Sequence, residues 1–275
     1  MKNINTIVML IATILLASCE KTVGIELDDH PPKLVVDAAI NWEKGTAGNL
    51  QKIKLTTTTS YFSYTIPSVS GAEVSVSNSV GSTFSFVETP NTGEYVCETF
   101  IPELGETYTL NIVYNGQMLT ATEIMKPVPE IDRVEQELSP GIGSEDDRID
   151  LKTYYTDPGN SADFYMMRVQ TSINAIPQFY VTDDEFFQGN QIFAIYINPN
   201  LMSGNIAEIK LYGISQRYFN YMTILAGISG ANGGGPFSTP PATLRGNVYN
   251  TTNPDNFALG YFSVSEIDKE IYTVQ

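Results

Sequence analysis

The chain has 275 residues and a formal net charge of −16, with 31 acidic residues against 15 basic ones. So acidic a protein repels phosphate backbones, which excludes nucleic-acid binding as an expected function. One histidine and two cysteines are too few for a metal site built on those residues or for a Ser-His-Asp arrangement that relies on a well-oriented imidazole. Proteins and small solutes are therefore the expected partners.

Residues 1–18 have the pattern of a secretory signal peptide. Lys2 is followed by an apolar run over residues 7–16, which is too short to cross a bilayer. The run ends in the lipobox Leu16-Ala17-Ser18-Cys19, whose small residues suit a signal peptidase and whose thiol accepts a diacylglyceryl group. We predict that Cys19 is the lipid-attachment site, carrying palmitate-type chains that hold the protein to a membrane. The alternative is a secreted protein with a cysteine there by chance.

Residues 19–32 are predicted to form a lipidated tether. The segment is acidic and ends in Pro31 and Pro32, with too little apolar content to fold alone. The single histidine, His30, lies in this segment, where no buried carboxylate is placed to orient it. We therefore expect no catalytic role for His30.

Residues 33–126 contain short β-type runs separated by glycine-containing turns. Between residues 107 and 114 every second residue is apolar, which is typical of a strand with one face in a core. This rhythm predicts an immunoglobulin-like or transthyretin-like β-sandwich. Cys97 lies in one of the runs with no basic residue nearby in sequence, so we expect an inert, structural thiol.

Residues 130–275 follow a hinge at Pro127 and Pro129 and are predicted to form a second β-rich domain with one helix. The helix is predicted from four side chains at three- and four-residue spacing: Tyr218, Tyr221, Met222 and Leu225. Core packing is the favoured role of this face, and a ligand-facing aromatic stripe is the alternative. The glycine-rich segment 230–236 is interpreted as a connector, with ligand binding as its alternative.

Three acidic groups are candidates for calcium binding: Glu145, Asp146 and Asp147; Asp183, Asp184 and Glu185; and Asp157 with Asn160 and Asp163. None has the alternating Asp/Asn positions and distant Glu of a helix-loop-helix calcium site. We interpret them as solvated loops and expect no metal and no cofactor. Glycoside hydrolysis needs only two carboxylates across a sugar, and sequence spacing does not reveal such a pair.

Several segments together resemble a family of Bacteroidetes outer-membrane lipoproteins that contain a domain of unknown function. These segments are residues 32–36, 69–74, 104–108, 156–159, 235–237, 245–247 and 259–262, with Phe164 and Tyr165. Members of that family are often encoded beside TonB-dependent receptors, and the resemblance implies such a receptor as partner. No site residues are carried over, because none is established for the family.

The leading functional hypothesis is a lipid-anchored outer-membrane protein, on the periplasmic or cell-surface face, that acts as accessory or ligand-binding partner of a TonB-dependent transporter. We expect no enzymatic activity. One alternative is a surface adhesin or scaffold, and another is a carboxylate-based glycoside hydrolase. For the leading hypothesis the transporter association comes from the resemblance alone.

Overall fold

The computed structural model describes residues 31–60, 63–141, 147–228 and 244–275. Four predictions therefore concern residues outside these ranges: the signal peptide, lipidation of Cys19, the role of His30, and the glycine-rich segment 230–236. Glu145 and Asp146 also lie outside them. Residues 32–275 form one compact unit.

The fold is mainly β, as predicted, and the described ranges contain one helix. The strands are β1 Leu34–Glu43, β2 Gln51–Thr57, β3 Glu73–Asn78, β4 Thr83–Thr89, β5 Glu94–Cys97, β6 Thr107–Tyr114, β7 Gln117–Ile124, β8 Ile131–Ser139, β9 Arg148–Thr156, β10 Phe164–Thr171, β11 Gln178–Asp183, β12 Gln191–Ile197, β13 Ile206–Ile214, β14 Tyr249–Asn250 and β15 Leu259–Thr273, and the helix is α1 Gln216–Ile228.

Strands β1 to β7 form the predicted sandwich. Strict alternation along β6 buries Tyr108, Leu110 and Ile112 completely, as predicted, because successive side chains of a strand point to opposite faces. Tyr114 is only partly buried at the edge of this core. The remaining strands contribute in the same way, and Cys97 at the end of β5 is 2% exposed.

A second core lies between the three-stranded sheet β12-β9-β8 and the strands β10 and β13. Leu151 of β9 and Leu211 of β13 are fully buried there. Tyr155 and Tyr165 meet edge to face with ring centroids 5.3 Å apart, a favourable aromatic geometry.

The chain returns to the first sandwich at its end. Strand β15 pairs in parallel with β1, from Val35 opposite Leu259 to Glu43 opposite Ile267, and antiparallel with β13. One twelve-stranded sheet results, in the order β11-β10-β13-β15-β1-β2-β5-β4-β3-β6-β7-β14. Phe262 and Val264 of β15 belong to the first core. Strand β15 thus joins the two predicted domains, 33–126 and 130–275.

Helix α1 confirms the predicted helix. Ser215 is its N-cap, since its Oγ accepts a hydrogen bond from the Tyr218 backbone N–H at 3.2 Å. Met222 is buried as expected for a core-facing side chain, whereas Leu225 is 36% exposed. No helix within the described ranges is both long and apolar enough to cross a membrane.

Candidate functional site

A groove of about 500 Å³ lies between α1 and the segment that leads into β14. We call it the arginine groove and define it by six of its lining residues: Arg217, Asn220, Tyr221, Arg245, Tyr249 and Tyr261. The apolar side chains of Ile224 and Leu244 complete this part of its wall. Concave surfaces that combine aromatic groups with a few polar ones are typical of ligand-binding sites.

Asn247 fixes one wall of the arginine groove. Its amide nitrogen donates to the Phe262 carbonyl and its amide oxygen accepts from the Phe262 N–H, both at 2.8 Å. Next to it, a Cβ on Gly246 would lie 1.5 Å from the Gly260 carbonyl oxygen, so only glycine permits this approach of two backbones. Arg245 is thereby attached to a segment held against β15.

Tyr221 and Tyr261 line the groove, and Tyr218 packs against Tyr261 beside it. The rings of Tyr218 and Tyr221 each lie 4.7 Å from the ring of Tyr261, measured between centroids. Tyr261 itself is 9% exposed. The predicted helical face therefore has two roles, because Met222 packs into a core while Tyr221 also lines the groove.

Glu123 of β7 lies buried beneath the groove. Its Oε2 accepts hydrogen bonds from the Ser215 hydroxyl at 2.9 Å and the Tyr261 hydroxyl at 3.0 Å. Burial raises the pKa of Glu123, and the nearby Arg217 guanidinium offsets part of that rise. Burial and Glu123 also raise the pKa of Tyr261. This carboxyl group ties the sandwich to α1 and β15.

The arginine groove gathers positive charge on a strongly acidic chain. Within the described ranges, no carboxylate oxygen forms an ion pair with Arg217 or Arg245. The Arg245 guanidinium lies 4.2 Å from the centroid of the Phe257 ring, and the Lys33 ammonium lies 3.3 Å from the same ring. Guanidinium groups placed in this way retain donors for a carboxylate or phosphate.

Three aspartates from the predicted acidic groups come together elsewhere in the fold. Carboxylate oxygens of Asp157, Asp163 and Asp184 all lie within 4.8 Å of one another, and we call this set the acidic cluster. Asp157 and Asp184 are 2% and 3% exposed, so the interpretation as solvated loops is wrong for these two residues. The sequence placed Asp163 and Asp184 in different acidic groups because the hairpin of β10 and β11 lies between them. Asn160 and Glu185 are exposed, and Glu185 does not join the cluster.

Cys97 is a small core residue, as predicted. It is buried, and its Sγ lies 3.8 Å from the Thr99 hydroxyl oxygen. Its chemical inertness stays a prediction.

Sequence reasoning did not identify the arginine groove. Its residues come from α1, from residues 244–249 and from β15, and only the fold brings these together. One signal was present, because the segments 245–247 and 259–262 both belong to the family resemblance.

A family model described as a domain of unknown function, DUF4249, matches residues 20–271. The chain belongs to the DUF4249 family. That match covers both cores, the arginine groove and the acidic cluster of this DUF4249 protein. No curated protein matches the chain.

Two solved structures are similar to parts of the DUF4249 chain. A two-domain fibronectin type-III segment of chicken tenascin shares 13% identity at a TM-score of 0.22, covering 66% of this chain and 90% of that one. A DUF4785 family protein from Legionella pneumophila shares 10% identity at a TM-score of 0.26, covering 66% of this chain. The DUF4249 chain spans about half of that protein, 52% of its length.

Proposed function

We propose that this DUF4249 protein is an outer-membrane lipoprotein, anchored through Cys19, that serves a TonB-dependent transporter as an accessory, ligand-binding partner. The arginine groove is the observation that supports ligand binding. The lipobox supports the anchor, and the resemblance of the sequence to receptor-associated lipoproteins supports the transporter as partner.

The lining of the groove favours an organic anion as ligand. Arg217 and Arg245 each present a planar fork of donors that matches a carboxylate or phosphate. Tyr221 and Tyr249 offer ring faces to an apolar or sugar-like portion of the same molecule. The two arginines make the groove locally positive, although the net charge of −16 opposes the approach of anions from a distance.

The anchor is tested by fatty-acid labelling of Cys19→Ala, with Cys97→Ala as the matched control. We expect the label to disappear completely from Cys19→Ala, because no other residue supplies the lipobox thiol. Cys97→Ala should keep the full label. Label retained on Cys19→Ala would refute the lipoprotein assignment.

The transporter association is tested by isolating the tagged full-length protein from its native membranes in a mild detergent. We expect a β-barrel receptor to co-purify. Recovery of the chain without such a receptor, under conditions that preserve other outer-membrane complexes, would contradict this part of the proposal.

The groove is tested by comparing the double variant Arg217→Ala/Arg245→Ala with Arg133→Ala, a control on the outer strand β8. Arg133 forms an exposed ion pair with Glu135 and does not line the groove, so its substitution should leave ligand binding unchanged. Native mass spectrometry should detect a bound organic anion on the wild type and on Arg133→Ala, and none on the double variant. Equal retention by all three proteins would rule out the arginine groove as the ligand site.

A second candidate function, a surface adhesin or scaffold, is favoured by one observation on strand β12. Phe193, Ile195 and Ile197 point outward from this edge strand and are 49%, 37% and 46% exposed. Contiguous exposed apolar side chains often mark a protein interaction surface. Binding to a matrix polymer that is lost in Phe193→Ser, in a protein that recruits no receptor, would favour this function.

The glycoside hydrolase alternative gains no support from the arginine groove, since none of its described lining residues carries a carboxylate. Sugar release that is abolished by one Asp or Glu substitution remains the observation that would establish it.

A further inference from the structure

The acidic cluster places three negative groups at the junction of two loops. Asp157 follows β9, Asp163 precedes β10 and Asp184 follows β11. Carboxylate oxygens of all three lie within 4.8 Å of one another. Calcium binds oxygen at about 2.3–2.6 Å, so two oxygens on opposite sides of one ion are about 4.6–5.2 Å apart. A single ion can therefore contact all three residues.

Asp157 is held firmly in place. Its Oδ1 accepts from the Tyr165 hydroxyl at 2.6 Å, and its Oδ2 accepts from the backbone N–H groups of Gly159 and Gly189 at 2.9 and 2.8 Å. A carboxylate offers about four lone-pair positions, so one position remains for a cation. Three hydrogen bonds therefore fix the Asp157 carboxylate and leave one lone pair free to bind a cation.

Asp184 is the observation that points to a ligand. Its side chain is 3% exposed, and its buried Oδ2 has no hydrogen-bond partner among the residues that the structure describes. Buried carboxylates are ordinarily paired or bound to metal, because an isolated buried charge is very costly. The described residues thus supply three hydrogen-bond donors to the carboxylate of Asp157 but none to the Oδ2 of Asp184.

The surrounding charges leave the cluster strongly negative. Within the described ranges, none of the three aspartates forms an ion pair with a basic side chain. A divalent cation would offset two of these three negative charges.

We propose that Asp157, Asp163 and Asp184 bind one Ca²⁺ ion, contrary to the sequence-based expectation of no metal. All-oxygen carboxylate ligands suit the hard cations Ca²⁺ and Mg²⁺. Calcium is favoured because two of the three ligands are buried, whereas Mg²⁺ keeps several of its waters. The ion clamps the loop after β9 to the loop after β11, where a Cβ on Gly159 would lie 2.5 Å from the Gly189 Cα.

The clamped loop also carries two exposed aromatic side chains. Phe186 and Phe187 lie two and three residues after Asp184 and are 82% and 45% exposed. The Phe187 N–H donates to the Asp184 carbonyl at 2.8 Å, so the position of Asp184 determines where this loop begins. Calcium binding therefore fixes the loop that presents these rings to solvent.

Calcium titration of the full-length protein, stripped with EGTA and followed by calorimetry, tests the site. We expect one Ca²⁺ per chain and a higher midpoint of thermal unfolding with Ca²⁺ than with EGTA. Asp184→Asn should weaken Ca²⁺ binding by about tenfold or more, because calcium affinity depends on the number of charged ligands. Glu185→Gln removes the same charge from the adjacent exposed residue and should bind like the wild type.

Terbium emission excited through tyrosine gives a readout of position, since the Tyr165 hydroxyl contacts Asp157. We expect Tb³⁺ emission from the wild type that Ca²⁺ displaces. If Asp184→Asn does not fold, Asp163→Asn at the half-buried ligand replaces it, and the EGTA comparison needs no variant. Three results would each overturn the proposal: no binding by the wild type, equal binding by Asp184→Asn and Glu185→Gln, or Mg²⁺ competing as strongly as Ca²⁺.

Discussion

The first sandwich and the strands that follow it differ in how they expose apolar side chains. Ten exposed large apolar residues lie between residues 173 and 206, four of them phenylalanines. Among the described residues of the longer stretch 34–124 there are nine, and none of those is phenylalanine. The acidic cluster also belongs to the later strands. We call the first sandwich the platform of the fold, and the later strands carry the proposed calcium site and these exposed phenylalanines.

The largest expected change in stability tests whether the first sandwich folds stably without the rest of the chain. A fragment of residues 33–126 lacks Phe262 and Val264 from its core and leaves one edge of β1 unpaired. Because losing each large core side chain costs about 2–5 kcal/mol, we expect the fragment to be less stable than the full chain by about 5 kcal/mol or more. Urea unfolding measures this difference.

The matched control for that fragment joins residues 33–126 to residues 244–267 through a flexible linker. It should recover much of the lost stability, since it restores the part of β15 that pairs with β1. Equal stability of the fragment with and without this segment would mean that the sandwich is complete on its own.

The next effect tests whether the two halves unfold together. Leu110 and Leu211 are fully buried in the first and second core. We expect Leu110→Ala and Leu211→Ala each to cost about 2–5 kcal/mol and to shift one shared thermal transition, because β15 pairs with both β1 and β13. Ile176→Ala, at a position that is 75% exposed, should change stability by only about 0.5 kcal/mol. Two separate transitions would show that the halves are independent.

Sequence patterns predicted the strands of the platform because their burial alternates with period two, as in Tyr108, Leu110 and Ile112. They also predicted α1, whose face has helical spacing. They did not predict the β1–β15 pairing, since nothing local to residues 34–43 specifies a partner more than 200 positions away. The same reason applies to the arginine groove and to the meeting of Asp163 with Asp184, which depend on register between distant strands.

A smaller effect concerns the junction between the halves, where Glu123 is buried. Its raised pKa means that the folded state binds the proton more tightly than the unfolded state does. The contribution of Glu123 to stability therefore falls as the pH rises from its ordinary range through the raised pKa, and is constant above it. Glu123→Gln should remove this fall, so that the stability of the variant relative to the wild type rises between acid and neutral pH.

Urea unfolding at a series of pH values measures this gain. Glu98→Gln is the control, because Glu98 is exposed and the substitution removes the same charge. Parallel pH profiles for the wild type and Glu123→Gln would contradict the assignment of Glu123 as a proton-binding group of the fold.

The smallest effect is at Cys97, inside the platform. Because its thiol is 2% exposed, alkylation of the native protein at neutral pH should be slow, and denaturation should make it rapid. Mass spectrometry of the labelled protein follows both states. Fast labelling of the native state would show that this part of the sandwich opens readily.

The parallel pairing of β1 with β15 sets an order of events for a chain that is made from its N-terminus. Strand β1 is among the first folded residues to be synthesised, yet its partner lies at residues 259–273, close to the end. Until those last residues arrive, one edge of β1 carries unpaired N–H and C=O groups, which are a template for pairing with other chains. Such long-range contacts also slow folding. We therefore expect β1 to be prone to pairing with other chains until β15 pairs with it and closes this edge.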